Sequence, residues 1–375
     1  MKKFFFVIFC FIFICACKTA QKEMPNQDVK VQEQQVAAQE FMTEASEVKT
    51  EVKVEKQEPK QESKPKQTSS KTEIKQEVKQ ETKSTVKEEI KQENVPVKPT
   101  EITTTEVKLD PKNPPKEILK TDDGRLTHPW YFMQVSTFTP EGKPPLWFGE
   151  ELNYKISWAF VTAGEATIKA DKILYNGKDY AYQIETLAKS YPVIDKMFKV
   201  RDINMSWIKS DLSKSLGYWQ SVREGSYKRD EWLNFDYKNN YYDMYKQNKR
   251  GELYKFTTPF TGIEVFDVLS ALYYVRNPKI SLQDTIYFDI VNVNKQYPLK
   301  VIVHGKEKIK TKAGTFNCIV VEPMISGESI FVVKGKSLKV WLTDDEYRLP
   351  VKLEVEVFIG SVKAELYSYK KGGNL

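Results

Sequence analysis

The sequence predicts an all-β protein. It would form a curved antiparallel sheet or half-open β-barrel with one embedded α-helix over about 262–276, carried on a long disordered N-terminal tether. Three observations predict it. About a dozen segments between 152 and 367 alternate apolar and polar residues with period two. One apolar stretch, 265–275, is flanked by helix start and stop signals. Residues 18–127 hold a single aromatic, Phe41, whereas 128–375 hold 40.

At the N-terminus, Lys2 and Lys3 precede an apolar run from Phe4 to Ile14. A bilayer span needs roughly 20 residues, so this run is too short to cross, but it has the length of a secretory leader. Ile14-Cys15-Ala16-Cys17 follows. It resembles the bacterial lipobox, in which an aliphatic residue and small residues precede an obligatory cysteine whose thiol receives diacylglycerol. Residues 1–16 would then be a lipoprotein signal peptide and Cys17 the acylated first residue of the mature chain. A zinc site would need a second set of ligands, and the only other cysteine is Cys318. Cys10 and Cys15 would leave with the leader, so no intrachain disulfide is expected.

Residues 17–127 read as the tether. The stretch 18–127 carries 21 Lys+Arg against 22 Asp+Glu, and KQE recurs at 56–58, 60–62, 75–77, 79–81 and 91–93. Such a near-neutral polyampholyte buries too little apolar surface to offset its ordering entropy. No heptad persists to support a coiled coil. As a coil it would average roughly 55–60 Å end to end, and extended it would reach about 300 Å.

Residues 128–375 hold every Trp and Tyr, with 35 Lys+Arg and 29 Asp+Glu spread along the chain. Scattered lysines without a recognition motif exclude a nucleic-acid partner. Alternation marks strands at 152–158, 164–170, 180–188, 203–209, 216–222 and 231–237, then at 285–291, 297–303, 316–322, 337–343, 350–358 and 361–367. Turn signals at 176–178, 313–315 and 334–336 separate several of them. A meander of this length curls into a closed or half-open barrel. Thr261 and Glu264 have the spacing of a capping box, VFDVLSALYYV continues to Val275, and Asn277-Pro278 stops the helix. Only Glu264, Asp267 and Ser270 interrupt its apolar surface, so it should be buried against the concave face of the sheet.

FGEELNYKISW (148–158), TAGEATI (162–168), FDVLSALYYVR (266–276), AGTFNCIVVEP (313–323) and KVWLTDDEYRLPVKLEVEVFIGSV (339–362) together resemble the bacterial domain-of-unknown-function family numbered 3108, over about 146–370. That resemblance implies an exported all-β domain and no established activity. The last segment, through Asp344, Leu349-Pro350 and Gly360, also resembles the periplasmic lipoprotein-carrier group. There it implies a half-barrel whose concave face holds acyl chains.

Catalytic chemistry is poorly represented. The two histidines, His128 and His304, form no nucleophilic set with a serine or cysteine. No metal-spaced cluster or phosphate loop is present, so neither a metal nor a cofactor is expected. Cys318 alternates with Phe316 and Val320 and reads as a small core residue. The adjacent Asp344 and Asp345 sit at a turn, as turn-shaping residues or as paired carboxylates for glycosidic chemistry. Asp267, on the buried helix, would be ion-paired with Arg223, Arg201 or Arg276, or would be catalytic. Trp158, Trp207 and Trp219 would line the concave face or simply pack the core.

The expectation is therefore a non-catalytic lipoprotein, held by Cys17 and facing the periplasm from the outer membrane. Its β domain would bind lipid, lipoprotein or glycan in envelope maintenance. A cell-wall-processing enzyme and a purely structural tethered protein are the alternatives.

Overall fold

The computed structural model describes residues 104–110, 119–247, 251–283, 285–292, 295–325, 328–329, 337–356 and 360–373. The expected leader, Cys17, nearly all of the expected tether and the turn expected at 334–336 lie outside these residues. In chain order the first strands are β1 (Thr105–Leu109), β2 (Leu119–Lys120) and β3 (Leu126–Thr127), followed by a 3-10 helix (Pro129–Phe132). Then come β4 (Glu150–Trp158), β5 (Val161–Tyr175), β6 (Tyr180–Ser190), a one-turn helix α1 (Pro192–Asp195), β7 (Arg201–Lys209), β8 (Ser215–Glu224) and β9 (Tyr227–Asp236). After these lie β10 (Tyr241–Gln247), β11 (Leu253–Pro259), β12 (Val265–Phe266) and α2 (Val268–Val275). The chain ends with β13 (Ile286–Asn292), β14 (Lys295–Thr311), β15 (Gly314–Ile325), β16 (Glu328–Ser329), β17 (Leu338–Thr343), β18 (Pro350–Glu356) and β19 (Ser361–Lys370).

Seventeen of these strands form one curved sheet that does not close. Strands β4 to β11 pair antiparallel in sequence order. A second meander runs from β13 through β14, β15, β17 and β18 to β19. The two join where β19 pairs with β4, Val362 opposite Trp158. β12 lies parallel to β13, and β1 pairs with β11.

Period two in the sequence becomes two faces. Along β4, Leu152, Tyr154, Ile156 and Trp158 are all buried and join the main core with Leu269, Ala271 and Val275 of α2. Helix and inner sheet face thus enclose one apolar layer, which places α2 against the sheet as the sequence predicts.

Two expectations need correction. Ordered pairing begins well before His128: Thr105–Leu109 pairs residue by residue with Thr257–Leu253, and Arg125, Leu126 and Thr127 are buried. The short TEVKL strand is mostly exposed, so its composition matches the preceding polar stretch and hides it. The helix also starts later than expected. Thr261 to Glu264 are exposed loop, Gly262 has φ 89°, and Val265–Phe266 is extended as β12. Pairing with β13 overrides the local capping signal.

Candidate functional site

The true N-cap of α2 is Asp267. Its Oδ1 accepts from the backbone N–H groups of Leu269 (2.8 Å) and Ser270 (3.1 Å). Its Oδ2 accepts from the hydroxyls of Ser206 (2.6 Å), Ser215 (2.6 Å) and Ser270 (2.8 Å). Ser270 in turn accepts from the Asp267 N–H at 2.9 Å, completing a capping box. The carboxyl is fully buried. Burial raises its pKa even against these donors. Asp267 is therefore the rivet between the helix and strands β7 and β8. None of the three arginines expected to pair with it does so: Arg276 binds Glu150, Arg223 binds Asp230 and Arg201 binds Asp195.

The other end of α2 is held by that Glu150 pair. Arg276 Nη1 and Nη2 reach the two Glu150 oxygens at 2.6 and 2.7 Å, and Tyr273 donates to Glu150 Oε1 at 2.7 Å. Arg276 Nε donates to the Arg348 carbonyl at 3.1 Å. With both carboxylate oxygens and the guanidinium fork engaged, the pair meets the condition for a tolerable buried ion pair.

The tryptophans separate by face. Trp158 is in the main core beside α2. Trp207 and Trp219 point the other way: their strand neighbour Ser206 reaches the α2 cap, which puts position 207 on the outer face. There they form a second cluster with Trp130, Trp232 and Tyr245, beneath the segment 126–133. Trp219 Nε1 donates to the Leu126 carbonyl (2.8 Å) and Trp207 Nε1 to Gln183 Oε1 (3.1 Å). Neither lines the inner face; both pack in a buried core layer, the second of the two roles read for them from the sequence. His128 caps this layer, its ring 4.9 Å from that of Trp207. Its Nδ1 accepts from the Trp130 N–H, and burial drives its pKa down to about 3.

Arg223 belongs to a charged knot at one end of the sheet. It grips Asp230 through both nitrogens at 2.8 and 2.9 Å. Asp230 also accepts from the Ser221 hydroxyl (2.6 Å) and the Leu126 N–H (3.1 Å). Arg125 donates to the Ser221 hydroxyl at 2.9 Å. Asp202 Oδ1 takes the Arg223 N–H at 2.7 Å. Burial outweighs that bond and the neighbouring Glu224, Arg125 and Arg223, and raises Asp202 to about 6. The knot ties the 119–127 segment to the sheet.

Asp344 is exposed and pairs with Lys306 at 2.6 Å, while Asp345 caps the turn through the Thr343 hydroxyl and the N–H groups of Tyr347 and Arg348. Asp345 thus shapes the turn, while Asp344 sits in it as the partner of a surface ion pair. Cys318 is buried with Val320, Trp341 and Val351, and burial lifts its thiol to about 11. Among the described residues, no group of three or more His, Cys, Asp or Glu could hold a metal ion. Among them, too, no helix is long and apolar enough to cross a membrane.

The candidate binding feature lies elsewhere, on the outer face of β5, β6 and β7. A groove of about 240 Å³ has a mainly apolar lining and is bounded by Arg125, Glu165, Thr167, Leu187, Lys189, Arg201 and Ile203. Cross-strand pairing builds it: Leu187 stands opposite Ile203 and Thr167, and Lys189 opposite Arg201 and Glu165. Leu187 is 39% exposed and stands between the polar Gln183, Glu185 and Lys189 on its face of β6. That odd apolar residue at an outward position was the sequence signal for the groove. The Arg125 contribution was not visible, because 125 reads as part of the tether.

Several solved structures match the chain at low identity. A β-barrel-like protein of the domain-of-unknown-function family 1849 from Brucella abortus is 7% identical, with TM-score 0.40, covering 60% of this chain and 98% of that one. A candidate lipoprotein from Parabacteroides distasonis is 11% identical, with TM-score 0.29, covering 61% and 100%. A candidate exported protein with a YmcC-like fold from Bacteroides fragilis is 9% identical, with TM-score 0.28, covering 61% and 98%. No curated protein matches the chain. The strands that build both faces, from β4 to β19, fall almost entirely within residues 153–367, the span matched by the profile of a protein family of unknown function, DUF3108, and the chain belongs to that family.

Proposed function

We propose that this protein is an exported, lipid-anchored binding protein that holds an envelope-derived amphipathic ligand without transforming it. The observation that carries the reading is the outer-face groove: an apolar floor of Leu187 and Ile203 rimmed by Arg125, Lys189 and Arg201. These cations are paired with Asp123, Glu165 and Asp195 and would turn toward an anionic head group by exchanging those partners. An acyl chain with an anionic head group, from a lipid or a lipoprotein, matches that combination. At about 240 Å³ the groove falls just short of ordinary small-molecule clefts of roughly 300–1,000 Å³, so it would grip part of a ligand rather than enclose it. Export and anchoring rest on the Ile14–Cys17 pattern and would place the groove at the end of a long polar stretch. Glycan processing by carboxylates is less favoured. Asp267 is buried under five donated hydrogen bonds, Asp344 is paired with Lys306 and Asp345 caps a turn.

Titration with lysophosphatidylglycerol, followed by native mass spectrometry, tests the groove. Saturable binding that disappears in Leu187→Asp is expected. No binding, or equal binding by Leu187→Asp, sinks the reading. The anchor is tested separately by mass analysis of the N-terminal peptide. Diacylglycerol on Cys17 is expected, and an unmodified thiol there ends that part.

A further inference from the structure

The loop around α1 divides its apolar residues cleanly. Ile194 and Phe198 are buried in the main core, while Val193 and Met197 point outward at 74% and 47% exposure. The loop is held in this pose by backbone bonds. Asp195 N donates to the Tyr191 carbonyl (2.8 Å), Phe198 N to Ile194 (2.8 Å) and Gly225 N to Lys199 (2.7 Å). Phe198 packs so closely on Gly225 that a Cβ there would lie 3.1 Å from its ring. The exposure of Val193 and Met197 is thus built into an anchored loop.

Neighbouring hairpin tips share this rim. Tyr191 N donates to the Ala163 carbonyl (3.0 Å) and Ala159 N to Ser361 (3.0 Å), which brings the 159–160 tip alongside. Phe160 there is 40% exposed. Lys196 and Lys199 are exposed between the apolar positions. The loop's acid, Asp195, is taken by Arg201 at 2.6 Å, and Glu356 is the exposed acid where β18 reaches this rim. Apolar residues at the tip with cations between and below them match a bilayer, where acyl chains lie under anionic head groups. The opposite end of β5 also exposes Val135, Phe138 and Tyr175, but there Lys143, Lys172 and Lys178 are balanced by Glu141, Asp171 and Asp179.

We propose that this rim, led by Val193, Met197 and Phe160 with Lys196 and Lys199, docks onto an anionic lipid surface as a second membrane contact distinct from any acyl anchor. It goes beyond the ligand reading, since it uses the loop tips and not the groove. The test uses the chain from Lys18 onward, which keeps every described residue and lacks both the apolar leader and Cys17. Co-sedimentation with phosphatidylcholine–phosphatidylglycerol vesicles is expected, weakened by salt. The double variant Val193→Asp/Met197→Asp should bind at least about tenfold more weakly. Leu187→Asp should bind vesicles as the parent does. Failure of the parent to sediment overturns the proposal, as does equal binding by the double variant. Loss of binding in Leu187→Asp alone also overturns it, by assigning vesicle capture to the groove.

Discussion

Glu150 and Arg276 lie 126 residues apart in the chain and meet in two hydrogen bonds of 2.6 and 2.7 Å, both side chains excluded from solvent. The pair ties the C-terminal end of the buried helix to the first residue of β4. It thereby joins the helix to the strand at which the two meanders of the sheet meet.

Removing either partner leaves the other charge buried. Glu150→Gln and Arg276→Leu are each expected to cost about 3–5 kcal/mol, and the double variant less than their sum. Urea unfolding of the four-member cycle measures this. Single variants that cost under about 1 kcal/mol would mean that water enters the site and solvates the stranded charge.

Asp267 should behave as structure. Asp267→Ala removes the helix cap and strands three serine hydroxyls, a loss of about 2–4 kcal/mol. Thr261→Ala and Glu264→Ala, at the positions that imitate a cap, should each change stability by under about 0.5 kcal/mol. The three unfolding midpoints decide it. The reverse order of effects would restore the helix start at Thr261.

That contrast shows what the sequence could reveal. Alternation in LNYKISW was sufficient to place Leu152, Tyr154, Ile156 and Trp158 on the core face, because a period of two is a property of the strand itself. Asp267 and Ser270 also carried a cap spacing, but Thr261 and Glu264 carried a competing one. The choice was made by β12 pairing with β13, a long-range contact no local window contains. The same holds for Trp207 and Trp219. Their parity was legible, yet which face counts as inner depended on residues 126–133, a non-periodic segment that forms a layer outside the sheet. The groove was half legible, through Leu187, and half hidden in Arg125.

Two buried groups give opposing pH dependences. Asp202, raised to about 6, keeps its proton in the fold after an unfolded aspartate has lost it near pH 4. Its contribution is therefore full below about pH 4 and lost as pH rises to about 6. His128, lowered to about 3, stays neutral in the fold while an unfolded histidine protonates near pH 6.5. Its contribution is full above about pH 6.5 and lost as pH falls toward 3. Asp202→Asn keeps the acceptor for the Arg223 N–H and removes the first slope. That variant should gain stability more steeply than the parent between about pH 4 and 6, in urea unfolding at stepped pH. Parallel curves would show that Asp202 titrates normally.

Gly217 sits where a Cβ would lie 2.9 Å from His128 Nε2 and 3.3 Å from the Leu233 carbonyl. The outer layer is thus pressed onto β8. Gly217→Ala should cost about 1–3 kcal/mol by forcing His128 off the sheet, and tryptophan fluorescence should shift as water reaches Trp207. An unchanged unfolding midpoint and spectrum would mean that the layer gives way freely.

The outer layer also decides where the folded unit begins. Composition alone would start it at His128. A chain cut there loses β1, the Arg125 contact to Ser221, the Leu126 N–H bond to Asp230 and the Leu126 carbonyl that receives the Trp219 indole. Asp230 would then face Arg223 with one donor fewer, and the Trp207–Trp219 cluster would lose Leu126 from its cover. At least three hydrogen bonds to buried groups disappear, each worth about 1 kcal/mol or more. A chain starting at His128 should melt about 5–15 °C below one starting at Ile102, at roughly 2–4 °C per kcal/mol for a domain of this size. Calorimetry of the two chains measures the difference. Coincident melting would show that residues 104–127 lie on the sheet without supporting it, and the boundary read from composition would stand.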